Sequence, residues 1–356
     1  MYKVISANRG SHKAPKNWRV FEQENLEKHF GKVLNVDGED GYSVLDAYNK
    51  YADTLEYIRW YPCPETCNSQ EYSGVLSQDK EIDLKYITNS AKGFESVQSK
   101  EVCFREWKKS GVNCPDYFVY QNQEEFYEKL SISNISYPFL VRVNNSVSGK
   151  GSVLVRDESQ LKSALQSVER DNNNRIGINR QMMCIQFINT IDKDRDVNVS
   201  YRIHVSGDKV ISGYGRVVPK DNWLAITAGS FSIDQIDNWL YYNELCQKFM
   251  VEKEKEIVES VQSLGLNHQG VDLVIDEDSK ELCFLEVQPT YATGYPGGMG
   301  SYTPPFYNPY DPQLVNYLVQ NKSELEQKIP LYYFNWLDKQ NHFDLVFKEL
   351  KRYVWA

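Results

Sequence analysis

Hydrophobic and polar positions form their clearest pattern between residues 270 and 288. Two apolar runs, 271–275 and 282–287, flank the polar stretch Asp-Glu-Asp-Ser-Lys at 276–280, whose residue types favour turns. The pattern predicts a β-hairpin. Side chains two residues apart share one face of a strand, so Glu286 and Gln288 lie on the same side of the second strand.

The hairpin also brings acidic side chains together. Asp272 lies on the first strand and falls roughly opposite Glu286, so two carboxylates and the amide oxygen of Gln288 can converge. Magnesium prefers hard oxygen ligands and usually takes one or two protein carboxylates. The hairpin therefore indicates an Mg²⁺ site; the alternative from the hairpin alone is a half-buried hairpin with solvated acids.

Strands alternate with helices in the first 90 residues. The apolar pattern predicts strands at 3–6 and 32–36 and helices at 22–30 and 43–55. This alternation favours an α/β unit. The loop at 60–67, rich in aromatic residues and proline, either lines a ligand cleft or folds over the core.

A glycine-rich segment at 146–152, containing Ser-Gly-Lys-Gly-Ser, follows a buried-type strand at 137–143. Its backbone N–H groups could bind anionic oxygens, and Lys150 would add a mobile cation. An ordinary hairpin turn is the alternative, since the spacing is not that of a Walker A loop. The other elements predicted here are a helix from Lys100 to Gly111, a strand ending at 119, a helix at 124–130, a strand at 153–155 and a helix at 158–168.

Two arginines lie on strands predicted further along the chain. An apolar strand at 182–188 and a charged turn at 192–196 precede strands at 198–205 and 209–218. Alternation places Arg202 and His204 on one face of the first of these strands, and Arg216 lies on the second. Arginines on a sheet face are solvated, paired with acids, or bound to a phosphate. A long helix at 237–264 precedes the hairpin.

Composition excludes several classes of protein. The chain has 356 residues, 25% of them charged and 41% hydrophobic, as in a globular protein of two or three domains. A net charge of −9 without a basic block argues against nucleic acid as the main partner. No apolar run approaches the ~20 residues of a membrane span. The N-terminus has no secretory apolar region and the seven cysteines are scattered, so we expect a cytoplasmic protein.

Taken in order, these segments resemble the ATP-grasp superfamily. The resemblance rests on Lys100 before G-V-N-C-P, on Y-P-F-L-V-R-V followed by S-G-K-G-S, and on I-Q-F-I followed by D-R-D-V-N-V-S-Y-R-I-H-V. It continues with V-I-S-G-Y-G-R and ends with G-V-D-L-V-I-D and L-E-V-Q-P, so that it covers roughly residues 96–300. Each segment alone is weak evidence for the family, but the order and spacing of the whole series are specific to it.

The resemblance implies an α+β or α/β protein that holds ATP between two ATP-grasp subdomains. The implied domains are an N-terminal α/β domain at 1–95, a first subdomain with the glycine-rich loop at 96–185, a second subdomain with the metal site at 186–310, and a C-terminal helical extension at 311–356. The implied cofactors are ATP and Mg²⁺, with Mn²⁺ as an alternative to magnesium.

The resemblance also implies a role for each matching residue. Lys100 and Arg142 would contact the phosphates of ATP, and Arg202 and Arg216 would be catalytic groups facing the transferred phosphoryl. The remaining implied ligands are the loop residues Ser148, Gly149, Lys150 and Gly151 over the triphosphate, Gln186, Phe187 and Ile188 at adenine, Asp194 or Asp196 at ribose, and Asp272, Glu286 and Gln288 at the metal.

Three departures from the family pattern stand out. Arg142 replaces a usual lysine, Gln288 replaces the customary asparagine, and the frequent asparagine before the small glycine segment is not evident at 226–229. The activity that the resemblance implies is an ADP-forming carboxylate–amine ligase, with a thiol or another nucleophile as an alternative to the amine. A kinase using His204 or His268 as base, and a nucleotide-binding protein without catalysis, are the alternatives.

The sequence does not name the substrates. We expect a small-molecule or peptide carboxylate and an amine acceptor, with neither nucleic acid nor membrane as a partner; a homodimer stays open. The Tyr/Pro-rich segment at 290–310 either forms an aromatic rim for the acceptor or packs on C-terminal helices predicted at 312–325 and 334–353.

Overall fold

In the described part of the chain, the strands form three β-sheets and helices pack against them. The computed structural model describes residues 4–8, 24, 26–37, 41–55, 57–61, 87–88, 96, 99–144, 151–173, 181–221, 233–288, 312–331 and 339–355. Among the described helices, none is both long and apolar enough to cross a bilayer.

The first sheet is parallel and belongs to the N-terminal part of the chain. Its strand order is β2-β1-β3-β4. The strands are β1 (Val4–Asn8), β2 (Val33–Asp37), β3 (Tyr57–Tyr61) and β4 (Ile87–Thr88), and helix α1 (Gly41–Tyr51) ends in a 3₁₀ turn, Ala52–Thr54. Residues 26–30 are helical. The predicted α/β unit is present; residues 62–67 of the predicted loop lie outside the described residues.

The second sheet is antiparallel, with the order β5-β8-β6-β7. The strands are β5 (Tyr117–Tyr120), β6 (Phe139–Val143), β7 (Ser152–Val155) and β8 (Met182–Gln186). Helix α2 (Lys100–Lys109) precedes β5, and helices α3 (Gln123–Ile132) and α4 (Glu158–Asn173) follow β5 and β7. Strand β6 alternates between buried and half-buried residues, and its buried Phe139 and Val141 pack with Leu161 and Leu165 of α4. One face of this sheet is therefore covered by helices.

The third sheet carries the predicted hairpin and has the order β11-β10-β12-β13, with β9 beside β10. The strands are β9 (Ile191–Asp192), β10 (Val197–Ser206), β11 (Lys209–Pro219), β12 (His268–Ile275) and β13 (Leu282–Gln288). The 3₁₀ turn Ile233–Gln235 leads into helices α5 (Ile236–Glu252) and α6 (Glu254–Gln262). Tyr201, Ile203 and Val205 of β10 share a buried core with Tyr242 and Met250 of α5.

The prediction of one long helix at 237–264 was wrong. The helix breaks at Lys253, whose φ of −113° and ψ of 17° leave the helical region. The next residue, Glu254, accepts hydrogen bonds from the backbone N–H of Val210 (3.2 Å) and from Lys209 Nζ (3.1 Å) at the start of β11. The break therefore follows a tertiary contact, which helical periodicity does not register.

The last of the C-terminal helices packs against the N-terminal part of the chain and against the third sheet. The C-terminal helices are α7 (Pro312–Gln320), α8 (Lys322–Lys328) and α9 (Lys339–Trp355). Val346, Phe347 and Leu350 of α9 form one buried cluster with Phe30 near the N-terminus and Ile211 of β11. Helices are therefore present in the predicted extension, although the helix predicted at 312–325 is divided at Asn321, and the proposed domain boundaries stay predictions.

Candidate active site

The two predicted metal ligands lie opposite each other across β12 and β13. In this antiparallel pair Asp272 faces Glu286, whereas the next pair is Leu273 with Phe284. Leu285 is the extra residue of a β-bulge. Without the bulge, Asp272 would face Leu285, and Glu286 would point to the other side of the sheet. The bulge is therefore what places both carboxylates on one face.

Asp272 lies between the two predicted catalytic arginines. Arg202 faces it across β10 and β12, and the guanidinium donates to both carboxylate oxygens: Nη2 to Oδ2 at 2.6 Å, and Nε to Oδ1. Arg216 Nη2 lies 3.6 Å from Oδ1. Burial by itself would raise the pKa of Asp272, but the charges of Arg202 and Arg216 outweigh it and hold that pKa well below its usual range. Asp272 is therefore a buried anion held by two arginines.

The second carboxylate, Glu286, pairs with a lysine. Lys100, the first residue of α2, forms an ion pair with Glu286 Oε2, and both side chains are largely buried. Burial lowers the pKa of Lys100; the charge of Glu286 opposes this effect, and the nearby charge of Arg142 adds to it. Arg142 therefore lies close enough to Lys100 for the two positive charges to interact. Two carboxylates and four cations form one cluster.

The cluster suits a polyanion together with a divalent cation. Its cations outnumber its carboxylates, and burial in low dielectric strengthens attraction for an anion such as a triphosphate. The two carboxylates are adjacent on a rigid hairpin, a donor set that fits Mg²⁺ with water and phosphate oxygens completing its coordination. Among the described residues, no group of three or more His, Cys, Asp or Glu side chains is arranged for a metal. The predicted set has only two carboxylates, and the side chain of Gln288 lies outside the description.

The glycine-rich loop is described only at its end. Gly151 has a φ of +67°, in the left-handed region that favours glycine, and its carbonyl accepts from the Val143 N–H at 3.0 Å. This bond fixes the end of the loop beside Arg142. The other predicted loop ligands, Ser148, Gly149 and Lys150, lie outside the described residues, as does the segment 290–310.

The predicted adenine segment lies at the junction between the second and third sheets. Gln186 ends β8, and Phe187 and Ile188 belong to the irregular link to β9. The side chain of Gln186 accepts from the Ser136 N–H (3.1 Å) and donates to the carbonyls of Pro138 (3.2 Å) and Phe187 (3.3 Å). Its amide thus braces the turn before β6 and also engages the carbonyl of Phe187 in the predicted adenine segment, whose role at the nucleotide stays a prediction.

The two candidate ribose acids lie on the turn between β9 and β10. Asp194 is exposed, and Asp196 has a φ of +56° and pairs with Lys220 at 2.8 Å. Asp192 shapes this turn, because its Oδ1 accepts from the backbone N–H groups of Asp194 (2.9 Å) and Arg195 (3.2 Å). The choice between Asp194 and Asp196 stays open.

Sequence reasoning missed the residues that support the cluster. Tyr214 lies beside Arg216, whose Nη2 donates to the Tyr214 hydroxyl at 3.5 Å, and the ring of His204 packs edge-on to Tyr214. Asn144 links Lys100's helix to β6. Tyr214 could have been found from the sequence, because residues two apart on a strand share a face and Tyr214 lies two positions before Arg216. Asn144 could not, because it is the first residue of the polar segment that leads into the glycine-rich loop.

The two histidines considered as bases, His204 and His268, each contact a serine and an aromatic ring. His204 is fully buried, and its Nδ1 lies 2.9 Å from Ser212 Oγ. His268 Nδ1 lies 3.4 Å from Ser206 Oγ, and its ring stacks on Phe347 of α9. In both histidines the described contact of Nδ1 is therefore with a serine of the third sheet.

The comparison of sequences agrees with this geometry. The family described as the RimK-like ATP-grasp domain matches residues 97–293, more than half of the chain and all six residues of the cluster. The chain belongs to the RimK-like ATP-grasp family. Members of this family bind ATP. No curated protein sequence matches the chain.

Solved structures share the ATP-grasp fold with this chain. N5-carboxyaminoimidazole synthetase from Staphylococcus aureus, complexed with ADP, has 13% identity over 85% of this chain and 73% of that one, with a TM-score of 0.50. An ADP complex of N5-carboxyaminoimidazole ribonucleotide synthetase has 17% identity over 85% and 73%, with a TM-score of 0.51. Biotin carboxylase from Campylobacter jejuni has 12% identity over 92% and 70%, with a TM-score of 0.50. At these identities the likeness shows the fold alone, and the predicted fold class is confirmed.

Proposed function

We propose that this ATP-grasp protein is an ADP-forming ligase that joins a carboxylate to an amine through an acylphosphate. The observation that carries the proposal is the single buried cluster in which Asp272 and Glu286 meet Lys100, Arg142, Arg202 and Arg216. Such a cluster provides positioning and charge stabilisation, which is most of what a protein contributes to phosphoryl transfer.

The triphosphate is bound by cations from two parts of the fold. Lys100 comes from the start of α2 and Arg142 from β6, and Val143 fixes the end of the glycine-rich loop next to them. A lysine is a compact point charge, whereas an arginine binds two phosphate oxygens with a planar fork. Arg142 therefore holds its phosphate in a more fixed orientation than a lysine would.

Asp272 and Glu286, with the amide of Gln288, would hold Mg²⁺, and Mn²⁺ suits the same oxygen ligands. The bound ion would neutralise phosphate charge during transfer. Asp272 keeps Arg202 and Arg216 in place at the same time, because both guanidinium groups contact its carboxylate. The metal and the arginines thus share one anchoring side chain.

The chemical sequence has two displacements. A substrate carboxylate oxygen attacks the γ-phosphorus, the bond to the bridging oxygen of ADP breaks, and Arg202 and Arg216 stabilise the charge that develops on the phosphoryl oxygens. The amine lone pair then attacks the acyl carbon, the C–O bond to the phosphate breaks with its electron pair leaving on phosphate, and the amine releases its proton to solvent. The products are an amide, ADP and phosphate.

The surroundings of the histidines favour this ligase over a kinase. Transfer to a hydroxyl needs a base near the acceptor, and in the two histidines considered for that role Nδ1 lies beside Ser212 in His204 and beside Ser206 in His268. A carboxylate nucleophile is already ionised at neutral pH and needs no base. We infer a small-molecule or peptide carboxylate as substrate, and a cytoplasmic location in keeping with the five described cysteines, all of which are free thiols.

Hydroxylamine trapping tests the proposal. Amino acids and small carboxylic acids are first screened for ATP-dependent phosphate release, and hydroxylamine then replaces the amine. We expect ADP and phosphate in equal amounts and a hydroxamate, because hydroxylamine attacks the mixed anhydride. A stable phosphorylated product without free phosphate would establish the kinase instead. AMP and pyrophosphate would exclude both, since the γ-phosphoryl group would not be transferred.

A further inference from the structure

Asn144 is a fully buried amide at the point where β6 ends and the glycine-rich segment begins. Its Oδ1 accepts from the Glu101 N–H at 3.0 Å, and its Nδ2 donates to Ser99 Oγ at 2.9 Å and to Gln181 Oε1 at 3.4 Å. Its backbone N–H donates to the Gln181 carbonyl at 2.9 Å. One side chain therefore joins the first turn of α2 to β6 and to the start of β8.

Lys100 lies between the two α2 residues that this amide contacts. Ser99 is the N-cap of α2, and its Oγ accepts from the Val102 N–H at 3.3 Å. Glu101 is the next residue after Lys100. The hydrogen bonds to Ser99 and Glu101 thus fix the backbone on both sides of Lys100.

Arg142 lies on β6 two residues before Asn144, so the bonds of this amide also lie close to the second cation. The far end of α2 is fixed to the third sheet: Trp107 Nε1 donates to the Ser260 carbonyl at 2.6 Å, and the Trp107 ring packs 5.9 Å from Phe284. Apolar packing is not directional and leaves a helix some freedom to shift along its neighbour. The hydrogen bonds of Asn144 define distance and angle at the end of α2 that carries Lys100.

We propose that Asn144 is a positioning residue that holds Lys100 of α2 in register with Arg142 of β6, and thereby shapes the phosphate-binding pair. The inference rests on the proposed function for its consequence in nucleotide binding, but the mechanical tie concerns the protein alone. The connection between α2 and β6 and its effect on nucleotide binding are therefore measured in separate experiments.

Hydrogen–deuterium exchange of the nucleotide-free protein tests the tie. In Asn144→Ala we expect exchange at the amides of Glu101 and Val102 and at the end of β6 to rise together, by about tenfold or more. Asn144→Asp should keep protection at Glu101, because its carboxylate accepts the same bond and can also accept from the Ser99 hydroxyl. Loosening of α2 alone, or of β6 alone, would overturn the proposal, because Asn144 would not couple the two.

A double-mutant cycle tests the consequence. Affinity for Mg-ADP is measured by calorimetry for the wild type, Asn144→Ala, Lys100→Met and the double variant. We expect Asn144→Ala to weaken binding about tenfold in the wild-type background and less than about twofold in the Lys100→Met background. Equal weakening in both backgrounds would mean that Asn144 does not act through Lys100, and would overturn the proposal.

Two controls complete the design. Asn172→Ala removes a buried amide from α4, a helix that packs against the same sheet as Asn144. It should leave the affinity for Mg-ADP within about twofold of the wild type. Should Asn144→Ala not fold, Ser99→Ala removes one bond of Asn144 together with the N-cap of α2; it should raise exchange at Val102 and at the end of β6 while Glu101 keeps its bond, and loosening of α2 alone would overturn the proposal. Joint loosening of α2 and β6 in a protein that binds no Mg-ADP would retain the tie and refute the proposed function.

Discussion

Asp272→Asn tests whether the charge cluster has the energetics that its geometry implies. Asp272 is 4% exposed, and its two oxygens accept from Arg202 while Arg216 lies nearby. Asparagine keeps the size of the side chain but removes the charge and turns an NH₂ group toward an arginine donor. Breaking a buried ion pair from one side costs about 3–5 kcal/mol, since the remaining charges lose their partner. We expect a loss of that size at pH 7.

The same substitution changes the pH dependence of stability in a defined direction. Arg202 and Arg216 hold the pKa of Asp272 below the value that the unfolded chain would have, so the carboxylate stabilises the fold above that value. The contribution is lost as the pH falls toward the folded-state pKa. Between about pH 5 and pH 3, the wild type should therefore lose stability faster than Asp272→Asn, and the difference between them should shrink.

Urea unfolding followed by circular dichroism at pH 7 and at about pH 3.5 measures both effects. Asp116→Asn is the matched control, because the Lys108–Asp116 pair has side chains 42% and 57% exposed and should contribute less than about 1 kcal/mol. A free energy of unfolding for Asp272→Asn within about 1 kcal/mol of the wild type at pH 7 would refute the reasoning. A difference that grows toward acid would contradict the sign of the pKa shift.

Two further predictions concern ligand binding. Glu286→Gln should lower Mg-dependent ATP turnover by roughly 100-fold or more with an unchanged circular dichroism spectrum. The control Glu281→Gln, at the exposed end of the same hairpin, should leave turnover unchanged. Wild-type turnover in Glu286→Gln would show that Glu286 does not belong to the metal site. Gly151→Ala and Gly111→Ala should each cost about 1–2 kcal/mol, because both glycines have positive φ values (+67° and +76°). Only Gly151→Ala should also weaken Mg-ADP binding in calorimetry; equal affinities for the two variants would show that Gly151 does not contribute to the nucleotide site.

Much of the third sheet could be predicted because its side chains alternate. The apolar runs placed β12 and β13, and β10 and β11 followed from the Gly-Asp turn between them. The opposition of Asp272 and Glu286 was predicted only roughly. It depends on the bulge at Leu285, and a leucine within an apolar run has no turn propensity that would locate a bulge.

The partners within the cluster could not be predicted in the same way. Sequence spacing indicates which side chains share a face, but the pairing of Lys100 with Glu286 joins residues from a helix and a strand that are distant in the chain. The break at Lys253 has the same origin, since it follows from the contact of Glu254 with Val210. Both features depend on tertiary distances, whereas periodicity reports only local geometry.

The pairing within the cluster bears on how the proposed site would work. The acids proposed for the metal are bonded to the cations proposed for phosphate: Asp272 to Arg202, and Glu286 to Lys100. Buried charges require partners, and these side chains supply them to one another. Phosphate alone would separate Lys100 from Glu286 and leave that carboxylate without its cation. A metal alone would bind the carboxylates and leave Lys100 and Arg202 without their anions. Only the two ligands together replace both sets of partners, so the proposed site favours the metal–nucleotide complex over either component alone.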